Sequence, residues 1–245
     1  MFLLLINIYI ACFLLSYQQG HCDFPLTDLG IDQAVKRGHS LKDIHWDYAY
    51  SSDLPRASRT AEIILSHSKT IFNKDDLMKT KLLREISFGV REELPRGTTL
   101  YDAKLLVAER QQIPVSEVID TAESTEQVHS RQVDFIKQLQ HHCMNSNHIP
   151  TILCVSHGAY IRQFLTIFCP MLPVVSKIGN CSVSIVTVSW PYLPTTTTTD
   201  TTADSTTQVI FDTNTENNNN SSSSDTMSIY SFQCHTSIDT ANMCL

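Results

Sequence analysis

Thr151-Ile152-Leu153-Cys154-Val155-Ser156-His157-Gly158 is the stretch that decides the fold. It opens as a β-branched, apolar run of strand length. It then turns polar at Ser156-His157, passes Gly158, and enters a helical pattern from Ala159 to about Phe168. A strand that hands over directly to a helix is the building unit of α/β sheets. The same design recurs upstream. Tyr48-Ala49-Tyr50-Ser51-Ser52 reads as a short strand, Asp53 as a helix N-cap and Pro55 as part of the first turn. That helix continues through Thr60, Ala61, Ile63, Ile64 and Leu65. Residues 28–42 read as an earlier helix with Leu29, Val35 and Leu41 among its apolar positions. Ser124 and Gln127 have the spacing of a capping box, and Val128, Phe135, Ile136 and Leu139 then recur at helical spacing to about Cys143. The alternating run 182–190 reads as a last strand. Strands separated by helices predict an α/β fold with helices on both faces of a central sheet.

The chain has 245 residues, 42% hydrophobic and 18% charged, enough to build a core. Its net charge of -7 argues against a nucleic-acid partner held by bulk electrostatics. Three zones are visible. Residues 1–16, MFLLLINIYIACFLLS, are almost wholly apolar. They have the length of a signal-peptide core, but no Lys or Arg precedes them and no small-x-small cleavage site follows. They are shorter than the roughly 20 residues of a membrane span, so no membrane partner is expected. A buried first strand and a non-native start are further readings of the same run. Residues 17–190 read as the globular domain. Residues 191–245, with TTTTT, NNNN and SSSS, are expected to be a disordered tail. The tail holds six acidic side chains and no Lys or Arg, and so carries most of the net charge. None of the eight cysteines forms a C-x-x-C pair, so a structural zinc site has no support. Several sit in apolar runs, which points to a reducing compartment and a cytoplasmic location.

Both strand-to-helix junctions place a charged or titratable residue just past a strand end: Arg56 at the first, His157 at the second. Free backbone N–H groups at a helix N-terminus favour an anion, and ligands of open α/β sheets sit outside the strand C-termini. Arg binds phosphate oxygens with a bidentate fork, so an Arg and a His meeting there form a natural phosphate site. Taken singly, Arg56 reads equally well as a solvated helix residue and His157 as a satisfied loop histidine.

Six segments, in order, resemble the motifs of the histidine phosphatase superfamily, which includes phosphoglycerate mutases and fructose-2,6-bisphosphatases. They are Gln19-Gly20 with Asp23 and Pro25-Leu26-Thr27; Ser51-Ser52-Asp53-Leu54 with Arg56-Ala57; and Leu83-Arg84-Glu85 with Gly89 and Glu92. Ala122-Glu123-Ser124 with Arg131, Val155-Ser156-His157-Gly158, and Asn180-Cys181-Ser182 complete the series. Within the superfamily, Phe88-Gly89-Val90 and His157-Gly158-Ala159-Tyr160-Ile161-Arg162 are most similar to its fructose-2,6-bisphosphatase branch. The resemblance implies a phosphoglycerate-mutase-like three-layer sandwich with a mostly parallel central sheet. It implies phosphoryl transfer through a phosphohistidine from a phosphorylated small molecule, a sugar bisphosphate, with no metal or other cofactor. By position, His157 is the second histidine, Arg56 a phosphate-binding arginine and Glu85 the proton donor. Gln19, Gly20, Gly158 and Asn180 line the phosphate site. An ion pair with Arg84 is the other reading of Glu85, and Arg131 is expected to support packing of the long helix.

The chain departs from the family at its start. The family opens with a strand ending in Arg-His-Gly, whose His is the nucleophile, ten to fifteen residues before the Gln-Gly pair. Residues 1–16 hold neither Arg nor His. His21 lies nearby on a loop and is not expected to substitute. Hydrolysis is therefore expected to be impaired. Three accounts follow: residues 1–16 replace a true first strand through a different start, the chain is a phosphate-ester-binding pseudoenzyme, or it is a secreted non-enzymatic domain. Glu93 stands where the family commonly has Gly, so loop 92–100 is expected to take another path. The stretch 143–149 before the second histidine is short for the fructose-2,6-bisphosphatase branch.

Overall fold

The structure, a computed structural model, describes residues 2–8, 17–70, 74–143, 148–170, 181–189, 208–210 and 229–235; for the first and the last two stretches it describes the backbone alone. Five helices and seven strands are placed among these residues. In chain order they are β1 (Phe2–Ile8), α1 (Asp28–Leu41), β2 (Tyr48–Ser52), α2 (Pro55–Ser66), β3 (Leu77–Thr80) and α3 (Leu100–Gln111). There follow α4 (Thr125–Cys143), β4 (Thr151–His157), α5 (Gly158–Phe168), β5 (Val183–Ser189), β6 (Gln208–Ile210) and β7 (Ile229–His235). The sheet order is β3-β2-β4-β1-β5-β7-β6. β3, β2, β4 and β1 are mutually parallel, while β5 runs antiparallel to β1.

The apolar pattern of β4 explains the layers. Ile152 and Cys154 face one core, with Val128, Phe135, Ile136 and Leu139 of α4 and Ile161, Phe164 and Phe168 of α5. Leu153 and Val155 face the other, with Leu41 of α1 and Ala57, Ala61, Ile64 and Leu65 of α2. A strand covered on both faces needs apolar residues at every position, which is why 151–155 does not alternate. Tyr50 and Phe135 meet edge to face, centroids 5.5 Å apart. The capping box forms as its spacing predicts: the Ser124 N–H donates to Gln127 Oε1 at 2.8 Å and the Gln127 N–H to Ser124 Oγ at 3.2 Å.

Several expectations change. Of the readings open for residues 1–16, the structure takes the first-strand one over Phe2–Ile8, parallel to β4 and antiparallel to β5, so the domain begins before residue 17. Its run of apolar residues from Phe2 to Ile6 suits a central strand as well as it suits a signal sequence. The tail, expected to be disordered, contributes β6 and β7, with β7 pairing along the edge of β5 from Ile185↔His235 to Ser189↔Ser231. Tyr230 and Phe232 give that segment strand-forming character, and β5 without it would present an unpaired edge. Asp53 does not cap α2; the N-cap is Leu54, without a side-chain hydrogen bond. Cys22, Cys154 and Cys181 are in no disulfide, whereas Cys169 is disulfide-bonded, a bond the expectation of a reduced chain did not include. Among the described residues no helix is long and apolar enough to cross a membrane.

Candidate active site

β2 and β4 run parallel in the register Tyr48↔Ile152 to Ser51↔Val155. Both strands therefore end at one level, and each feeds a helix. This brings Arg56, the second residue of α2, to the same sheet edge as His157, the last residue of β4. Each is about 1% exposed. A charged group so deeply buried has to be matched by hydrogen-bond partners or opposite charge.

Arg56 finds partners on the loop that begins at Gln19. Its two terminal nitrogens donate to the carbonyls of Gly20 at 2.7 Å and Cys22 at 2.6 Å. Half-buried Gln19 opens the loop, its carbonyl accepting from the Cys22 N–H at 2.9 Å. Gly20 has φ 48°, and a Cβ there would lie 2.1 Å from Glu92 Oε1, so only glycine fits. Glu92 ties this loop to the next. Its Oε1 accepts from the N–H groups of His21 and Phe88, both at 3.0 Å, and from Ser87 Oγ at 2.9 Å. Its Oε2 accepts from Cys22 Sγ at 3.3 Å. Burial and then the Glu92 carboxylate push the Cys22 thiol up to about 12, so it stays protonated and is a poor nucleophile.

His157 is fully buried, and its Nε2 has no hydrogen-bond partner among the described residues. Burial first, then the positive charges of Arg56, Arg131 and Arg84, hold it well below the usual histidine range. The imidazole is neutral at pH 7 and sits in a positive field. Gly158 follows as the first residue of α5.

Glu85 reaches the same place from a different segment. Its Oε1 accepts from the N–H of Tyr160 at 3.0 Å and of Ile86 at 2.9 Å; its Oε2 accepts from the N–H of Ala159 at 3.3 Å. The expected alternative, an ion pair with Arg84, is not what forms. Arg84 instead makes a two-pronged bond to Asp53, Nε–Oδ1 2.7 Å and Nη2–Oδ2 2.6 Å, which holds the Asp53 carboxyl below its usual range. The segment carrying Glu85 is clamped by Arg131. That side chain donates to the carbonyls of Leu82, Arg84 and Glu85 at 3.1, 2.9 and 3.2 Å and grips Glu123 at 2.7 and 2.8 Å. It also lies 5.1 Å from the Tyr160 ring centroid. Burial opposes charge on Glu123, but Arg131 and the Ser87 N–H outweigh it and hold the carboxyl below its usual range. His21 Nε2 donates to the Glu85 carbonyl at 2.8 Å, which ties that nitrogen to the scaffold.

The structure thus brings Arg56, His157, Gly158, Glu85, Gln19 and Gly20 to one sheet edge. Asn180 lies outside the described residues. The third strand at this edge is β1. Its register pairs Asn7 with Ser156 and Ile8 with His157, so an isoleucine occupies the place beside the buried histidine. Glu93 takes a left-handed backbone, φ 63°, a conformation that suits glycine better than a residue with a side chain. The loop is fastened by Glu93 N–H to Gln18 carbonyl at 2.8 Å and Gln18 N–H to Leu94 carbonyl at 2.9 Å. Two hydrogen bonds hold the strained backbone at this residue. The joining roles of Glu92 and Glu123 were not legible in the sequence, because each acts on backbone more than 30 residues away.

Residues 14–190 match the model of the histidine phosphatase superfamily (branch 1), and the chain belongs to that superfamily. Members act on phosphorylated small molecules. Among its relatives is fructose-2,6-bisphosphatase TIGAR B of Danio rerio, 42% identical over 74 residues, which are 30% of this chain and 28% of that one. The probable fructose-2,6-bisphosphatase TIGAR A of the same organism is 32% identical over 126 residues, 51% of this chain and 47% of the relative. The chain thus spans less than half the length of these two relatives. A phosphoglycerate mutase structure from Bacillus anthracis str. Sterne superposes with a TM-score of 0.58 at 26% identity, covering 76% of this chain and 87% of that one. The expected phosphoglycerate-mutase-like α/β sandwich is borne out.

Proposed function

We propose that this chain is a phosphatase domain of the fructose-2,6-bisphosphatase TIGAR kind, taking a phosphorylated sugar, and that its hydrolysis is impaired. The observation that carries this reading is the asymmetry of the sheet edge. Arg56 and His157 are assembled and buried, while the β1 position paired with His157 is Ile8. In the superfamily's chemistry a histidine attacks phosphorus, the P–O bond to the sugar breaks, and water then releases phosphate from the phosphohistidine. Arg56 and His157 would offset charge on the phosphoryl oxygens. The Glu85 carboxyl group would relay a proton from solvent to the leaving alkoxide. An isoleucine has no lone pair with which to begin the sequence, so positioning and electrostatics alone remain. The same site without turnover makes a binder of phosphate esters, and the buried Arg56 and His157 favour that second reading over a domain with no ligand.

The test is phosphate release from fructose-2,6-bisphosphate and a small panel of other phosphate esters. The natural chain is compared with an Asn7→Arg, Ile8→His double variant. The variant should be faster by about a thousandfold or more, since a covalent nucleophile is worth several orders of magnitude. A natural chain that already matches the variant on any ester would defeat the claim of impairment.

A further inference from the structure

We infer that Glu85 is a resident anion of the phosphate site: its carboxylate takes the α5 backbone donors that a phosphate oxygen needs, and so sets the affinity of the site. The inference rests on the phosphate-site reading above and adds what controls it.

Three observations converge. The Glu85 carboxylate spans the first turn of α5, an 11-residue helix, accepting from the N–H groups of Ala159 and Tyr160 at 3.3 and 3.0 Å. Free N–H groups and the helix dipole make that terminus the preferred seat of an anion. Next, His157 immediately precedes the helix, is buried, and leaves Nε2 unpartnered among the described residues. A buried polar atom without a partner is costly, and a phosphate oxygen would satisfy it. Finally, of the nearby acids, Glu85 bears most strongly on the Arg56 charge. One carboxylate therefore draws on the cation and the helix terminus that the ligand also needs.

The backbone cannot carry Glu85 away. Arg131 holds the carbonyls of Leu82, Arg84 and Glu85, and His21 holds the Glu85 carbonyl again. Only rotation of the Glu85 side chain vacates the helix terminus. A phosphate dianion and the carboxylate cannot share it without like-charge repulsion at close range. Each binding event then includes the cost of displacing the resident group.

Calorimetric titration of the full chain with inorganic phosphate tests this. Glu85→Gln keeps the shape and removes the charge, and should bind phosphate tighter by about tenfold or more, the scale of one charge-assisted contact. Arg56→Lys should bind more weakly than the natural chain, which checks the site itself. Equal or weaker binding by Glu85→Gln, with Arg56→Lys still impaired, overturns the resident anion and leaves the phosphate site standing. No binding by either the natural chain or Glu85→Gln removes the phosphate site and this inference together. If Glu85→Gln does not fold by circular dichroism, Glu85→Ala is read the same way.

Discussion

The C-terminal ends of β4 and β1 lie side by side, yet they answer different demands. β4 ends in Ser156 and His157: Ser156 Oγ donates to the Leu83 carbonyl at 2.8 Å, and His157 sits buried in the field of Arg56, Arg131 and Arg84. β1 ends in Asn7 and Ile8, paired with those two residues in unbroken parallel register. Strand pairing is a backbone matter, and any apolar, β-prone run can fill a central position in a sheet. Chemistry is a side-chain matter, and one residue type cannot stand in for another. Backbone pairing can therefore hold a strand in its place whatever side chain stands at its end.

The comparison breaks first at Arg56. Replacing it with Ala leaves the carbonyls of Gly20 and Cys22 without their charged donor. It should lower stability by about 3 kcal/mol and weaken phosphate binding at least about thirtyfold. Chemical denaturation and titration measure the two effects, and unchanged values for both would show that this half of the site is not assembled. Arg131→Ala should cost about as much or slightly less, because it strands the half-buried Glu123 carboxylate and frees the segment bearing Glu85. Arg131→Lys should recover only part, since a single ammonium cannot replace the two-pronged grip.

A pH series sharpens the His157 side. The folded-state pKa of His157 lies below the unfolded one, so below about pH 6.5 the unfolded chain binds the extra proton. Stability is held above the ordinary histidine range and falls as pH drops through it, at up to about 1.4 kcal/mol per pH unit. His157→Gln should flatten that part of the curve. Asp53 and Glu123, both held low, contribute stability that is lost only in the more acidic carboxylate range. If His157→Gln leaves the slope near pH 6 unchanged, the histidine is not buried neutral.

The smallest effect belongs to Glu93. Its φ of 63° is left-handed, a conformation that costs a side-chain-bearing residue about 1 kcal/mol. Glu93→Gly should raise the melting temperature slightly, with a gain of at most about 1 kcal/mol. A loss of stability would mean that the side chain makes a contact outweighing the strain.

Much of this was legible beforehand for local reasons. The run 151–155 reads as a doubly covered strand, and the Ser124–Gln127 box reads as a helix start, because each depends on residues a few positions apart. Arg56 and His157 are legible as a pair because strand-to-helix junctions in a parallel sheet end on one side. Other features were not. Residues 2–8 carry the same apolar signal as a leader sequence, and only their pairing with both β4 and β5 distinguishes a central strand. Asp53 looks like a cap by spacing, but Arg84, 31 positions away, claims its carboxylate.

Residue chemistry over short spans settled the strand-to-helix units, the order of the motifs, and the absence of Arg and His from residues 1–18. Contacts across tens of residues decided the rest: that an isoleucine pairs with the buried His157, that Glu85 seats itself on the start of α5, and that Arg131 holds it there. The division has a physical cause. Propensity and periodicity act through neighbours along the chain, whereas a buried charge or hydrogen-bonding group takes whichever partner folding places within reach.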